Sequence, residues 1–232
     1  WHLMTKKGST KVLKMQNAGK VVKVEKTKRF ILRPNPGKHT LKTTVTAGYV
    51  LRDLLHITDN TRESTHIIRN KEMLVDKKPI NTVNFAIGLQ DVIEFPKLKK
   101  NYRVTYNKNG LINLIEITAD ETKYKICKVI KKKVTTKGQI QLTTNDGRTI
   151  ITTNNGYKTK ASIKLDLEDN TIKEYYPLEK GRKVFLIGGK YIGQSGTIVG
   201  INKGNMIKKE LVKLKINDKE FETTEKNIFV IN

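Results

Sequence analysis

Apolar and polar positions along this chain follow two periods, and the change from one to the other marks out its elements. From Leu41 the spacing is helical: Ala47, Val50 or Leu51, Leu54 and Leu55 recur at three and four, with Arg52 and Asp53 outward. A second, shorter helix is predicted after Asn60, a good N-cap residue with Glu63 three positions on, the spacing of a capping box. It has two unlike faces. Ser64, Ile67 and Ile68 fall on one side, while Arg62, His66 and Arg69 recur at i, i+4 and i+7 on the other. After Asn70 and Lys71 the pattern shortens to extended runs, Met73 to Val75 and Val92 to Phe95, with a polar Asp76-Lys77-Lys78-Pro79 break and Ile80 between them. A basic helix followed by a small antiparallel sheet is the expectation.

Lys97 to Lys100 reads as a short basic linker, and beyond it the period is that of strands. Tyr102 to Tyr106 and Leu111 to Glu116 flank the turn Asn107-Lys108-Asn109-Gly110. Ile140 to Thr144 and Thr149 to Thr153 flank Asn145-Asp146-Gly147-Arg148, where a type I′ turn accounts for both Asp146 and Gly147 better than a catalytic role. Ser162 to Leu167 and Thr171 to Tyr176 flank Asp169-Asn170, and one helical turn is expected near Asp120 to Lys123. Such repeated hairpins predict a β-barrel or β-sandwich. From Gly181 an alternating strand, Val184 to Ile187, leads into the glycine-rich loop Gly188-Gly189-Lys190-Tyr191-Ile192-Gly193 and a second strand through Val199.

Charge then narrows the function. Lys and Arg number 46 against 22 acids, a net +24 with a pI near 10.0, which points first to a polyanionic partner, nucleic acid above all. Residues 1–40 alone carry nine Lys and two Arg against Glu25. That density opposes independent packing and predicts an extended arm ordered on phosphates, with short strands around Val21, Val22 and Val24 and at Phe30 to Leu32. Aromatics are only 6%, so lysines on phosphates fit better than a stacking platform for bases. A lone Cys127 and the scattered His2, His39, His56 and His66 build neither a disulfide framework nor a zinc cluster. The chain is expected to be intracellular, with no metal and no cofactor. No apolar run approaches the roughly 20 residues of a membrane helix. Gly188-Gly189-Lys190 is followed by Tyr191, so the Gly-Lys-Ser/Thr of a P-loop is missing, and Gly193-Gln194-Ser195-Gly196 lacks the flanking helices of a KH clamp. The chain opens at Trp1 rather than Met, which suggests a leader ahead of it.

Two stretches resemble known modules. Thr61-Arg62-Glu63, Ile67-Ile68-Arg69-Asn70, Leu74-Val75-Asp76-Lys77 and Gly88-Leu89-Gln90-Asp91-Val92-Ile93 resemble the S-four-type RNA-binding domain, with Lys71 and Lys77 standing where that pattern has turn glycines. The strand, glycine loop and strand around Gly193 resemble the KOW motif of small SH3-like barrels. With Pro34-Asn35-Pro36-Gly37-Lys38-His39, the run Glu121 to Val129, Asp146-Gly147-Arg148 and Asn227 to Ile231, the whole order resembles the small-subunit ribosomal S-four family of eukaryotes and archaea. The resemblance implies a mainly β protein with a small α+β domain: a basic arm (1–40), an S-four-like domain (41–96), a central β domain (97–176) and a KOW barrel (177–232).

It further implies a structural, non-catalytic constituent of the cytoplasmic small ribosomal subunit, with assembly in the nucleolus in a eukaryote. Small-subunit rRNA and neighbouring ribosomal proteins are the expected partners, with no membrane and no small-molecule substrate. The alternative is a KOW-containing transcription or RNA-processing factor. The candidate RNA contacts are Arg33, Lys38, His39 and Lys42; Arg62, His66 and Arg69; Lys71, Lys77 and Lys78; Lys131, Lys132, Lys133 and Arg148; and Lys190 with Tyr191.

Overall fold

Antiparallel pairing accounts for nearly all of this molecule. The computed structural model describes residues 11–13, 21–22, 30–135, 138–202, 204, 210–216 and 219–231. Most of the arm, including Trp1 and Val24, lies outside these residues. Of its expected strands, Phe30–Leu32 (β2) is present and pairs with Lys11–Leu13 (β1), and Val21 and Val22 are buried.

The first helix begins later than its apolar spacing suggests. Leu41–Thr43 forms one 3-10 turn, and Val45–Thr46 (β3) then pairs with Ala86–Ile87 (β6), because the β-branched run Thr43 to Thr46 favours extended backbone. Helix α1 covers Ala47–Tyr49, with the Thr46 hydroxyl accepting from the Tyr49 N–H, and widens into a π turn over Val50–Leu54. Ala47, Val50 and Leu51 are fully buried beneath the second helix, α2 (Thr61–Arg69). The Asn60 cap of α2 forms as spaced, Oδ1 accepting from the Arg62 and Glu63 N–H groups, while Glu63 reaches back one residue beyond the cap to the Asp59 N–H at 2.9 Å, a variant of the capping box.

The sheet beside these helices has the order β5-β4-β7-β8-β9, from Lys78–Pro79, Leu74–Val75, Val92–Phe95, Lys100–Tyr106 and Ile112–Glu116. Strands β7 and β8 pair directly, Phe95 with Lys100, so the stretch expected as a linker is the turn of a hairpin, Pro96 to Lys99, with Lys100 already in β8. The hairpin at Asn107 to Gly110 therefore extends this first sheet.

The central sheet is built on an 11-residue strand, β10 (Tyr124–Val134), entered through the 3-10 turn Asp120–Lys123. Its first half pairs with Ser162–Asp166 (β13) and its second half with Ile140–Thr144 (β11), with a register shift at Ile130 within the β11 pairing. Thr149–Thr152 (β12) and Ile172–Tyr176 (β14) complete the order β12-β11-β10-β13-β14. At the first of these hairpins Thr144 N–H donates to the Arg148 carbonyl and only Gly147 has a positive φ (78°). The loop is thus three residues closing on a left-handed glycine, not the two-residue I′ turn expected there.

The C-terminal sheet, β18-β17-β16-β15-β19, comprises Lys183–Leu186 (β15), Ser195–Asn202 (β16), Leu211–Ile216 (β17), Lys219–Thr224 (β18) and Ile228–Val230 (β19). One apolar cluster runs from Leu51, Ile68, Met73, Ile93 and Val104 through to Val184, Leu214 and Phe229, while Cys127, Val129, Leu142, Ile163 and Leu165 form a smaller core in the central sheet.

Candidate nucleic-acid interface

Helix α2 is amphipathic in the literal sense that its sides have different jobs. Ser64 and Ile68 are buried, and Arg62, His66 and Arg69 all stand exposed on the opposite side. Arg62 and Arg69 have no carboxylate within ion-pair distance among the described residues, and the Asn70 side-chain amide lies 3.3 Å from His66 Nδ1. Over seven residues at 1.5 Å rise, Arg62 and Arg69 sit about 10 Å apart along the axis, so adjacent phosphates of one strand lie within reach of such a row.

The helix stops at Asn70, and Lys71 follows with φ 58°, the left-handed conformation that favours glycine. In the β4–β5 hairpin both central residues, Asp76 (φ 50°) and Lys77 (φ 65°), are left-handed, as a type I′ turn requires. The two lysines thus occupy glycine-like backbone positions. Lys71 projects into solvent, but Lys77 Nζ is held by Glu94 at 2.9 Å and by the Thr122 hydroxyl at 2.8 Å.

The largest departure from expectation is a buried ionic cluster where the end of the arm, the first sheet and the central sheet meet. Lys125 is fully buried on β10, and its ammonium donates to Asp91 and lies 3.1 Å from both Asp76 and Asp146. Arg148 bridges Asp76 (3.0 Å) and Asp146 (2.9 Å), Lys38 reaches Asp76 at 2.6 Å, and His39 Nε2 lies 2.9 Å from Asp91. Asp76 and Asp91 also accept the Val92 and Gly88 N–H groups. Gly88 is required there, because a Cβ would stand 2.5 Å from the His39 ring. Three carboxylates face Lys125, Arg148 and Lys38 across this cluster.

Burial pushes the Lys125 ammonium down, but Asp91, Asp76 and Asp146 outweigh it and hold it well above the usual lysine value. Burial likewise raises Asp91, and Lys125 and His39 reverse that and hold its carboxyl well below the usual range. For Asp146 burial is outweighed by Lys125, the Thr144 hydroxyl and Arg148, and the result is about 2. The polar ends of Lys38, His39 and Arg148, expected on RNA, are therefore occupied inside the protein.

Two further junctions attach the C-terminal sheet. Lys128 Nζ donates to the Glu225 and Ile228 carbonyls at 2.7 and 2.6 Å, and burial lowers its ammonium to about 8. Gly193 (φ 76°) lies against the β8–β9 turn so closely that a Cβ would overlap the Asn107 carbonyl oxygen. The glycine singled out in the KOW-like loop thus has a packing reason as well as a conformational one.

The remaining candidates divide in the same way. Arg33, Lys42, Lys78, Lys131, Lys133 and Lys190 are exposed. Lys132 Nζ donates to Asn155 and to the Tyr157 carbonyl, and the Tyr191 ring rests 4.4 Å from that of Phe221. Sequence reasoning missed Lys125, Asp76 and Asp91 as a group. The available signal was Lys125 and Lys128 interrupting the otherwise apolar first half of β10, and three isolated aspartates in a chain dominated by cations.

An antiparallel, strongly basic protein with an exposed cationic helix face is of a class suited by charge to a polyanionic partner. The crystal structure of the 30S ribosomal protein S4e from Thermoplasma acidophilum superposes with a TM-score of 0.70 at 32% identity, covering 82% of this chain and 95% of that one. Residues 98–172 match the model of ribosomal family S4e. Small ribosomal subunit protein eS4 of Nanoarchaeum equitans is 34% identical over 202 residues, 87% of this chain and 86% of its own length. The Korarchaeum cryptofilum eS4 is 31% identical over 229 residues, 98% of this chain and 96% of its own. The chain belongs to ribosomal family S4e.

Proposed function

We propose that this chain is a structural constituent of the small ribosomal subunit, holding small-subunit rRNA through phosphate contacts and packing against neighbouring ribosomal proteins. The observation that carries the reading is a resemblance to eS4 proteins that spans all the sheets, 98% of the chain in one case. In this reading the RNA surface is made by Arg62, His66, Arg69 and Lys71 around α2, with Arg33, Lys42, Lys78 and Lys190 as further phosphate contacts. Lys38, His39 and Arg148 serve instead to lock the arm's end and two sheets into one relative position. The domain reading follows: an arm over 1–40, an S-four-like unit from 41 that includes the Asn107 hairpin, a central β unit to 176 and a KOW barrel over 177–232. The protein works in the cytoplasm without a catalytic site of its own. Sedimentation of the native chain in cell extract tests this: it should travel with small ribosomal subunits. Travelling instead with RNA polymerase would favour a KOW-type transcription factor.

A further inference from the structure

We propose that the outer edge of β12 is a docking site for an extended, acidic segment of another protein, which adds a sixth strand to the central sheet. Six strands form the outer edges of the three five-stranded sheets, and five carry a feature that discourages pairing. Strand β5 is Lys78–Pro79, β14 contains Lys173 and Glu174, β18 contains Lys219, Glu220 and Glu222, and β9 ends in Glu116. Strand β19 is buried along its length, with its Ile228 carbonyl taken by Lys128. Strand β12 reads Thr149-Ile150-Ile151-Thr152. Every residue is β-branched, none is charged, its pairing with β11 has no bulge, and Ile151 is 61% exposed.

The hairpin fixes which backbone groups face outward. Thr144 N–H donates to the Arg148 carbonyl, so the alternation of the ladder turns Ile150 and Thr152 towards β11 and directs the N–H and C=O of Thr149 and Ile151 away from it. Those groups would meet a strand about 4.8 Å away, with Ile151 facing an apolar residue across the new pair. RNA has no ladder to match them. A second copy is opposed by a net charge of +24 on each partner, whereas exposed Lys131 and Lys133 on the same sheet favour an acidic segment. Lys132 steadies the end of the edge by holding Asn155 and Tyr157.

This inference rests on the reading of the chain as a small-subunit constituent. The test compares amide hydrogen exchange at Thr149 and Ile151 in the isolated full chain and in small subunits containing it, alongside subunits in which Ile151 is replaced by photo-crosslinking benzoylphenylalanine. Assembly should slow both amides by at least about tenfold, and the crosslink should join residue 151 to one peptide of another ribosomal protein. In competition for assembly, Ile151→Lys should be incorporated several-fold less well while melting at the wild-type temperature. Unchanged exchange in assembled subunits, crosslinks only to rRNA or to a second copy, or normal incorporation of Ile151→Lys overturns the inference and leaves the functional reading standing. Absence of the chain from the small-subunit fraction overturns both.

Discussion

Lys71 and Asp91 illustrate two opposite uses of a charge in this protein. Lys71 accepts a left-handed backbone (φ 58°) in an exposed position, so its place after α2 is held at a conformational cost that glycine would not incur. Replacing it should separate stability from binding: Lys71→Gly is expected to raise the unfolding free energy by about 0.5–1 kcal/mol in urea titrations while weakening rRNA binding. Asp91 is buried against Lys125 and His39, and removing its charge leaves an under-compensated ammonium in the interior. Asp91→Asn should cost about 3–5 kcal/mol in the same titration. Acid should reproduce part of that loss. The Asp146 carboxyl lies at about 2 when folded against an ordinary 3.8, so it contributes about 2 kcal/mol of stability that is full above about pH 5 and disappears as pH falls through 2. Asp91, held lower still, acts in the same direction, so the urea midpoint should fall steeply below pH 4.

Among the elements, α2 and the glycine-rich loop were readable in advance because their signals are local. An Asn cap with Glu three residues on and a hydrophobic face at three-and-four spacing specify a helix without help from the rest of the chain, and both are present as spaced. Asn60→Ala should accordingly cost about 1 kcal/mol. The β8–β9 hairpin was legible as a hairpin, but its membership of the first sheet was not, since periodicity says which face is apolar and nothing about which strand lies alongside. The Asn145 to Gly147 loop shows the same limit: Asp-Gly signals a turn, while its length depends on the register of β11 against β12. At Gly193 the sequence showed a conformational need but not the Asn107 carbonyl pressed against it. Gly193→Ala combines positive φ with a backbone clash and should destabilise the protein by about 3 kcal/mol or more in thermal unfolding.

Taken whole, the molecule carries two populations of cations that composition cannot tell apart. One population, represented by Arg62 and Arg69, is exposed with no ion-pair partner among the described residues; the other, represented by Lys38 and Arg148, is bound to Asp76 and Asp146 and joins the arm's end to two sheets. The sequence made all four look alike because long-range pairing through Lys125 leaves no local pattern. If the first population holds rRNA and the second holds the protein together, matched charge removals should affect different properties. The most direct test titrates an rRNA fragment at several salt concentrations with the Arg62→Gln/Arg69→Gln and Lys38→Gln/Arg148→Gln double variants, and measures the urea midpoint of each. The first pair should flatten the log-log salt slope by about 1.5, two phosphate contacts at roughly 0.7–0.9 each, with an unchanged midpoint. The second should lower the midpoint and leave the slope near the wild-type value. An unchanged slope for Arg62→Gln/Arg69→Gln, or a flattened slope for Lys38→Gln/Arg148→Gln with no loss of stability, would contradict this division of the charges.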